Sequence, residues 1–223
     1  MSALSVIIVA GGRGLRMGHE VPKQFLNIGR RPVLMHTIEK FYSYDSAISV
    51  VLVLPSDQFP YWKALCRKHN FLLSHKLVEG GPTRYNSVKN GLAHIGDSDL
   101  VGIHDGVRPF VSNQTIERCY LVAQSHGAAI PVLEVVESIR KVEGDRSWMK
   151  PRSAYRTVQT PQVFKSSILK NAYDLPFNPD FTDDASVVEA AGYDITLVEG
   201  NRENIKITSP FDLVVADAMI REE

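Results

Sequence analysis

A glycine-rich loop with cationic neighbours follows the first apolar run of the chain. The run Val6–Val9 leads into Ala10-Gly11-Gly12-Arg13-Gly14, and Arg13, Arg16 and Lys23 place three cations within eleven residues. Glycine lets backbone N–H groups approach a phosphate chain closely. Each cation could form charge-assisted hydrogen bonds to a triphosphate, worth roughly 1.5–3 kcal/mol apiece. The loop therefore predicts a polyphosphate site, and a plain glycine turn beside solvated cations is the alternative.

The same loop departs from two common nucleotide-binding patterns. It is not a P-loop, because no Gly-Lys-Ser/Thr sequence closes it. It does not match the dinucleotide fingerprint Gly-x-Gly-x-x-Gly, because Met17 occupies the third glycine position after Gly12 and Gly14. A nicotinamide-dependent dehydrogenase is therefore disfavoured.

A second glycine pair, Gly80-Gly81, precedes a helical pattern that contains Arg84 and Ser87. These two side chains are three residues apart and should share one face of the helix. A helix N-terminus with adjacent glycine amides suits a phosphate or the edge of a base. A turn followed by an ordinary helix cap would explain the same residues.

An acidic residue ends the apolar strand that begins at Leu100. Asp105 lies at the carboxyl end of this strand, and open α/β sheets bind ligands at such strand ends. A carboxylate beside a phosphate loop is a natural hard-oxygen ligand for magnesium. An Asx-type turn residue before Gly106 is the simpler alternative.

Two further polar residues have both a structural and a functional interpretation. Thr182 and the two acidic residues after it suit the start of a helix without any function. Lys206 stands between Ile205 and Ile207 in a short extended run, so it should point away from the core side that these two share. A solvated lysine is the alternative.

Short β-branched runs alternate with helical patterns, which predicts a Rossmann-like α/β fold with a mostly parallel sheet flanked by helices. The expected strands are 5–9, 49–54, 72–78, 99–104, 128–133 and 195–199. Two buried helix faces are expected, one with Tyr85, Val88, Leu92 and Ile95, the other with Ile116, Cys119, Tyr120 and Ala123 before a stop at Gly127. A last helix should have Ser209 as N-cap, Pro210 first, Asp212 in a capping box, and a buried stripe of Phe211, Val214, Val215 and Ala218.

The segment 134–159 interrupts the alternation of strands and helices. Its first extended piece, 135–142, is followed by a turn at 143–146 and by a second extended piece toward Tyr155–Val158. This pattern predicts a β-hairpin inserted in the α/β core. Two strands alone are marginal in water, so such an arm should lie against a second subunit or fold back on its own domain.

The composition is that of an ordered globular protein. The chain has 223 residues, of which 44% are hydrophobic and 22% charged. At about 150 residues per domain, this length favours one α/β domain over 1–223, with 134–159 as its arm. Lys+Arg and Asp+Glu both number 25, so no net field would recruit a nucleic acid or an anionic membrane. Any bound polyanion must rely on locally clustered cations.

Two features bear on the compartment. Cys66 and Cys119 lie far apart, without Cys-x-x-Cys or Cys/His spacing, which indicates two buried and reduced thiols. The first residues carry no basic segment, and the apolar run after them is too short to span a bilayer. We therefore expect a soluble protein of the cytoplasm.

Six short motifs stand in a fixed order along the chain. They are Ala10-Gly11-Gly12 with Arg16-Met17 and Pro22-Lys23-Gln24-Phe25, Gly80-Gly81 with Arg84 and Ser87-Val88, His104-Asp105 with Arg108-Pro109, Thr160-Pro161-Gln162, Thr182-Asp183-Asp184-Ala185-Ser186, and Val198-Glu199-Gly200 with Asn204-Ile205-Lys206-Ile207-Thr208. In this combination the chain resembles the 2-C-methyl-D-erythritol 4-phosphate cytidylyltransferases, from about Val6 to Asp217. The resemblance implies a fold of the nucleotide-diphospho-sugar transferase type.

The resemblance also implies a reaction and the residues that carry it. CTP and methylerythritol phosphate would give 4-diphosphocytidyl-2-C-methyl-D-erythritol and pyrophosphate, with magnesium as cofactor. Catalysis would fall to Arg16, Lys23, Arg152 and Lys206. The nucleotide would be bound by Ala10, Gly11, Gly12, Gly14, Lys23, Gly81, Arg84, Ser87 and Asp105. Binding of the alcohol phosphate would fall to Asp105, Arg108, Arg152, Thr160, Thr182 and Lys206, and metal binding to Asp105. Arg152 matches by its spacing of eight residues from Thr160 and would reach across from the partner's arm in a homodimer.

The chemistry of this reaction agrees with a cationic site. The nucleophile is a phosphate oxygen that is already ionised at neutral pH, so no general base is required. The site must align two anions that repel each other and stabilise charge on the α-phosphate and the leaving pyrophosphate. Arginine, lysine and Mg²⁺ can do both.

Two alternatives remain at the level of sequence. Ala10-Gly11, and Gly106-Val107 after the aspartate, also occur in the related ribitol-5-phosphate cytidylyltransferases, so CDP-ribitol is the alternative product. A non-catalytic nucleotide-binding module is the other alternative. Lys23 together with Asp105 disfavours it, because simple binding needs no metal ligand beside a triphosphate clamp.

Overall fold

The structure, a computed structural model, describes residues 2–11 and 21–220. Its strands are Leu4–Val9 (β1), Asn27–Ile28 (β2), Arg31–Pro32 (β3), Ser49–Leu54 (β4), Lys76–Glu79 (β5), Leu100–Asp105 (β6), Ala128–Glu134 (β7), Ile139–Glu143 (β8), Arg146–Lys150 (β9), Arg156–Val158 (β10), Gln162–Lys165 (β11) and Thr196–Glu199 (β12). Its α-helices are Val33–Tyr44 (α1), Phe59–Lys68 (α2), Arg84–Leu92 (α3), Asn113–His126 (α4), Ser166–Ala172 (α5), Asp184–Ala190 (α6) and Pro210–Ile220 (α7).

An eight-stranded sheet forms the centre of the fold. Six of its strands are neighbours in the order β7-β11-β6-β1-β4-β5. The other two strands, β10 and β12, pair with opposite sides of β7. β1 runs parallel to β4 and β6, β4 to β5, and β7 to β12, whereas β11 is antiparallel to both of its neighbours. The predicted mostly parallel α/β fold is confirmed. Because β1 and β6 are adjacent and parallel, the loops after both strands emerge at the same edge.

Helices cover both faces of this sheet. Along β1, Val6 and Ile8 pack into one core cluster and Ile7 into the other, and all three are fully buried. A strand buried on both faces reads as a continuous apolar run rather than an alternating one. This is why 5–9 was recognisable as a strand.

The two helix faces predicted from periodicity are confirmed. Tyr85, Val88 and Leu92 are buried in one core cluster, and Ile116, Cys119, Tyr120 and Ala123 in the other. Ile95 is buried in the first cluster too, but it lies beyond the end of α3 at Leu92. The second of these helices, α4, begins at Ser112, whose hydroxyl accepts a hydrogen bond from the Thr115 amide, and ends at Gly127 with φ 95°. Only glycine adopts that φ without strain.

The predicted buried stripe of the last helix is wrong. Its capping box is present, because Ser209 N–H donates to Asp212 at 2.8 Å and the Asp212 amide donates to Ser209 at 3.3 Å. However, Phe211 and Val214 are 73% and 68% exposed, and Ala216 is the buried residue. Apolar residues surround nearly the whole of α7, so periodicity could not select the face that packs on β2 and the loop after β6.

The strand expected over 72–78 begins later, at Lys76, whose first paired neighbour is Val51. The preceding residues follow an irregular path that side chains stabilise. His75 donates through Nδ1 to the Leu73 carbonyl at 2.8 Å and accepts from Trp62 Nε1 at 2.9 Å. The Leu73 carbonyl is thus bonded by a side chain rather than by a neighbouring strand.

The predicted hairpin is present but shorter than expected. β8 and β9 pair in antiparallel fashion around a turn at Gly144, with φ 55°. The second extended piece leaves this hairpin after Lys150, and β10 instead returns to pair with β7 in the main sheet. Most of the hairpin is exposed, including Val142, Trp148 and Met149. It does not fold back on the described part of its own domain.

Cys66 and Cys119 are both free thiols, the first half-buried and the second buried. Within 2–11 and 21–220, no helix combines the length and the apolar character that crossing a bilayer requires.

Candidate active site

A cavity of about 310 Å³ opens at the carboxyl ends of β1 and β6. It is lined by Val9, Ala10, Gly11, Lys23, Gln24, Gly81, Pro82, Thr83, Arg84, Ser87, Asp105, Val107 and Lys206. Residues from five separate parts of the chain therefore meet where parallel strands of an open sheet present their ligand-binding edge.

Most of the predicted site residues that the structure describes lie at this cavity. Ala10, Gly11, Lys23, Gly81, Arg84, Ser87, Asp105 and Lys206 line it. Arg108 and Thr160 do not line it but contact Asp105. Arg152 and Thr182 are exposed and do not line it. Gly12, Gly14 and Arg16 lie outside the described residues, so their predicted roles remain predictions.

Asp105 is the electrostatic centre of the cavity. Its Oδ2 atom lies 3.0 Å from Lys206 Nζ and 3.1 Å from Arg108 Nε. Burial alone would raise the pKa of this carboxyl, but Lys206, Arg84 and Arg108 outweigh burial and hold the pKa far below its usual range. Asp105 is therefore a carboxylate at any working pH, surrounded by an excess of positive charge.

The segment that carries Lys206 is held by its neighbours. Ile207 is fully buried and its amide donates to Val107 O at 3.0 Å. Asn204 O accepts from Arg108 Nη1 at 2.8 Å, and Asn204 Nδ2 donates to Thr160 O at 2.8 Å. Lys206 thus points away from the core, as its alternation with isoleucines predicts, and is paired rather than merely solvated.

The second glycine pair forms a tight turn beside the cavity. Gly81 N–H donates to Ser87 Oγ at 3.1 Å, and Ser87 Oγ donates to Thr83 O at 2.9 Å. A Cβ atom on Gly81 would lie 2.3 Å from Asn86 Cβ, a separation that forces a backbone shift. Thr83, not a glycine, caps α3 by accepting from the Asn86 amide.

Gln24 is a buried member of the site whose structural role its residue type and spacing do not reveal. Its Nε2 donates to Ala10 O and to Gln58 Oε1, each at 2.9 Å, and it is 1% exposed. These bonds fix the turn that carries Lys23 against the end of β1. Its position within the motif Pro22–Phe25 is the feature of the sequence that indicates a role in the site.

The predicted cap of α6 is corrected by one residue. Asp183, rather than Thr182, accepts from the Ser186 amide at 2.9 Å and forms a capping box with that serine. A carboxylate at the N-cap also complements the helix dipole. The next residue, Asp184, is fully buried and pairs with Arg84 at 2.6 Å.

His104 stabilises the position of Asp105 through a hydrogen-bond network. The Asp105 amide donates to Thr160 Oγ1, the Thr160 hydroxyl donates to His104 Nδ1, and His104 Nε2–H donates to Arg108 O, each at 3.0 Å. This network requires a neutral imidazole, and burial lowers the pKa of His104 to about 4. The loop after β6 is therefore held by a histidine that stays uncharged at neutral pH.

We expect the stability of the protein to fall by about 2 kcal/mol between pH 7 and pH 5 through His104 alone. In the unfolded chain the imidazole of His104 has a pKa near 6.5 and binds a proton below that pH. In the native protein the same imidazole stays neutral until about pH 4. Asp105 does not contribute in this window, because its carboxylate is charged in both states. Urea unfolding of wild type and His104→Gln at both pH values measures the effect. As a control, the same substitution at exposed His94 should leave the pH dependence of stability unchanged. If the stability of His104→Gln depended on pH as steeply as that of wild type, His104 would not be the group responsible.

Comparisons with known proteins extend over nearly the whole chain. A family model described as 2-C-methyl-D-erythritol 4-phosphate cytidylyltransferase matches residues 4–222. The proteins of that name from Phocaeicola vulgatus and Bacteroides thetaiotaomicron are each 56% identical to this chain, covering 96% and 97% of it and 98% and 99% of their own length.

Solved structures give the same result. The structure of 2-C-methyl-D-erythritol 4-phosphate cytidylyltransferase from Thermus thermophilus is 35% identical, with a TM-score of 0.80 over 99% of this chain and 100% of that one. The 4-diphosphocytidyl-2C-methyl-D-erythritol synthase from Anaerococcus prevotii is 28% identical, with a TM-score of 0.83 over 99% of this chain and 96% of that one. Because the family model and the relatives cover almost every residue, this chain belongs to the 2-C-methyl-D-erythritol 4-phosphate cytidylyltransferase family.

Proposed function

We propose that the cavity beside Asp105 is where this chain transfers the cytidylyl group of CTP to 2-C-methyl-D-erythritol 4-phosphate. The reaction is that of its family, a cytidylyltransferase step in isoprenoid precursor biosynthesis that releases pyrophosphate. The observation that carries this location is the meeting of Lys23, Arg84, Asp105 and Lys206 around one cavity at the carboxyl ends of β1 and β6.

The glycine turns would hold the nucleotide. The Gly11 backbone would approach a base edge or a phosphate closely. The turn at Gly81 would form the adjacent wall, and it is fixed because Gly81 N–H donates to Ser87 Oγ and Ser87 Oγ donates to Thr83 O. The absence of a side chain at Gly81 lets this turn pack closely against Asn86 on α3. Gly12, Gly14 and Arg16 would complete the triphosphate side of the site by resemblance.

The cations would provide the catalysis. An ionised phosphate oxygen of the alcohol phosphate attacks the α-phosphorus of CTP, and the bond from that phosphorus to the bridging oxygen of pyrophosphate breaks. No proton needs to be removed, so the site requires alignment and charge stabilisation only. Lys23 and Arg16 would stabilise the triphosphate, and Lys206 would position the alcohol phosphate. Arg108 and Thr160 would contribute through their hydrogen bonds to Asp105, and Thr182 from outside the lining of the cavity.

The carboxylate of Asp105 fits a magnesium ion that arrives with the nucleotide. Magnesium is commonly bound by one or two carboxylates and by substrate phosphates, with water completing its shell. In the described part of the chain, no group of three or more acidic, histidine or cysteine side chains could hold a metal by itself. When bound, magnesium would neutralise charge on the triphosphate, and Lys206 would keep Asp105 oriented toward it.

We also propose that the chain works as a homodimer through the hairpin 139–150. Val142 and Met149 on this hairpin are 66% and 69% exposed, and an isolated two-stranded hairpin is marginally stable. A second copy would cover these side chains and bring the partner's Arg152 to the cavity. Two free thiols suit a reducing compartment, so we place the enzyme in the cytoplasm, with neither nucleic acid nor membrane as a partner.

A substrate panel tests the proposed function. We expect CTP-dependent release of pyrophosphate with methylerythritol phosphate and at least about tenfold lower kcat/KM with ribitol 5-phosphate, a difference within reach of a few hydrogen bonds. The names of the relatives favour the first alcohol. A preference for ribitol 5-phosphate would make CDP-ribitol the product. CTP binding without any turnover would favour the non-catalytic alternative.

A further inference from the structure

A buried carboxylate lies directly behind Arg84, on the side away from the cavity. Asp184 is fully buried at the first position of α6. Its Oδ2 accepts from Arg84 Nη2 at 2.6 Å, and its Oδ1 accepts from the Tyr173 hydroxyl at 2.7 Å. Both carboxylate oxygens therefore have partners, and the two residues that supply them, Arg84 and Tyr173, come from separate parts of the chain.

The backbone that carries Asp184 is itself anchored to the central sheet. Gln162 on β11 is 1% exposed, and its Oε1 accepts from the Ala185 amide at 2.9 Å. Its Nε2 donates to Asp183 at 2.8 Å. The position of Asp184 is thus set by the sheet and by Tyr173, and does not depend on a ligand.

Arg84 faces the cavity with the part of its side chain that Asp184 does not use. About 30% of the side chain is exposed, and the residue lines the cavity at the start of α3. Burial alone would lower the pKa of the guanidinium, but the Asp184 carboxylate overcomes this and raises it. The two groups therefore form a permanent ion pair whose guanidinium still has N–H groups available.

We propose that Asp184, supported by Tyr173, is a positioning residue that holds the Arg84 guanidinium at the cavity wall before CTP binds. This inference rests on the proposed function, because it takes the nucleotide to be the ligand beside Arg84. An arginine side chain has many rotamers, and a ligand that must order it loses affinity. Asp105 also attracts this guanidinium, so without Asp184 the side chain would have a competing acidic partner inside the cavity.

The expected signature is a loss of CTP affinity with little change in turnover. A prepositioned group that contacts the nucleotide equally in the ground state and the transition state alters KM and leaves kcat unchanged. Removal of a merely structural contact would lower stability and would leave both the KM for CTP and its Kd unaltered.

The test uses Tyr173→Phe, Asp184→Asn and the background variant Arg84→Met in the full-length enzyme. We expect the KM and the calorimetric Kd for CTP to rise about threefold in Tyr173→Phe and about tenfold in Asp184→Asn, with kcat within twofold of wild type. Tyr173→Phe should add nothing to Arg84→Met, because residues that act through one another are not additive. The matched control is Tyr120→Phe, which removes a buried hydroxyl bonded to Ser5 O at 2.7 Å in the other core cluster. It should leave the KM for CTP unchanged.

Two results would overturn the proposal. One is an unchanged KM for CTP in both Tyr173→Phe and Asp184→Asn while wild type remains active. The other is a Tyr173→Phe effect that persists in full in the Arg84→Met background. A wild-type enzyme that neither binds nor uses CTP would overturn the proposed function and this inference together, so the two failures are distinguishable.

Discussion

Replacement of Lys23 by alanine should lower turnover at saturating CTP by about 10²–10³, the cost of removing a preorganised electrostatic donor. Lys23 lines the cavity on a short turn that the two following residues hold in place. Gln24 ties this turn to Ala10 O, and Phe25 is 3% exposed and stacks on Trp62 with a centroid separation of 6.1 Å. A rigid backbone therefore holds the ammonium group at the cavity, where it would contact the triphosphate, and its loss should lower kcat more than it raises KM.

The control and the contrary result for Lys23 are both accessible by steady-state kinetics. Lys63→Ala removes an exposed lysine from α2 and should leave kcat and KM unchanged. Lys23→Arg should recover only part of the activity, because a planar guanidinium and a compact ammonium do not present their donors alike. Full turnover of a folded Lys23→Ala at saturating CTP would refute the role assigned to this residue.

Most of the strands and the position of Asp105 could be predicted because they depend on local pattern. β1, β4 and β6 are apolar runs of the right length, and they are recognisable because both faces of the sheet are covered. The end of β6 then places Asp105 at the sheet edge that binds ligands. The glycine pair before α3 similarly places Ser87 and Arg84 on one side of the cavity.

The partners of the site residues could not be predicted, because they are separated by long stretches of chain. Arg84 and Asp184 are 100 residues apart, and Asp105 and Thr160 are 55 apart. No periodicity links such pairs. Asp183 and Asp184 suited a helix start equally well, so the sequence could not show that one caps the helix while the other lies buried behind Arg84.

The outer face of α7 and the extent of the hairpin depend on packing rather than pattern. Phe211 and Ala216 are both apolar, and only the neighbours of the helix decide that the second is buried. Likewise β10 is an extended run that could have lengthened the hairpin, yet it pairs with β7 in the main sheet. Local sequence identifies such segments as extended but does not choose their partner strand.

Arg152→Ala and Lys206→Ala should each lower turnover by about 10²-fold, and mixing the two variants should restore about one quarter of wild-type turnover. Lys206 lies in the cavity of its own chain, paired with Asp105. Arg152 lies on an exposed turn that does not line that cavity. If Arg152 acts on the partner's cavity, a mixed dimer contains one chain of each variant. The cavity of its Arg152→Ala chain then has its own Lys206 and receives an intact Arg152 from the other chain, so one of the two sites has both cations. Random exchange makes half of all dimers mixed, which yields the one-quarter recovery.

The recovery distinguishes a residue that acts across the interface from one that acts within its own chain. Mixed dimers isolated with two different affinity tags should show about half of wild-type turnover, with one intact site in two. A mixture of Lys23→Ala with Lys206→Ala is the matched control and should recover nothing, because both lysines belong to the same cavity and neither site in the mixed dimer is complete. If the isolated Arg152→Ala and Lys206→Ala mixed dimer is equally inactive, Arg152 does not serve the partner's site, and the hairpin would then have no catalytic role across the dimer.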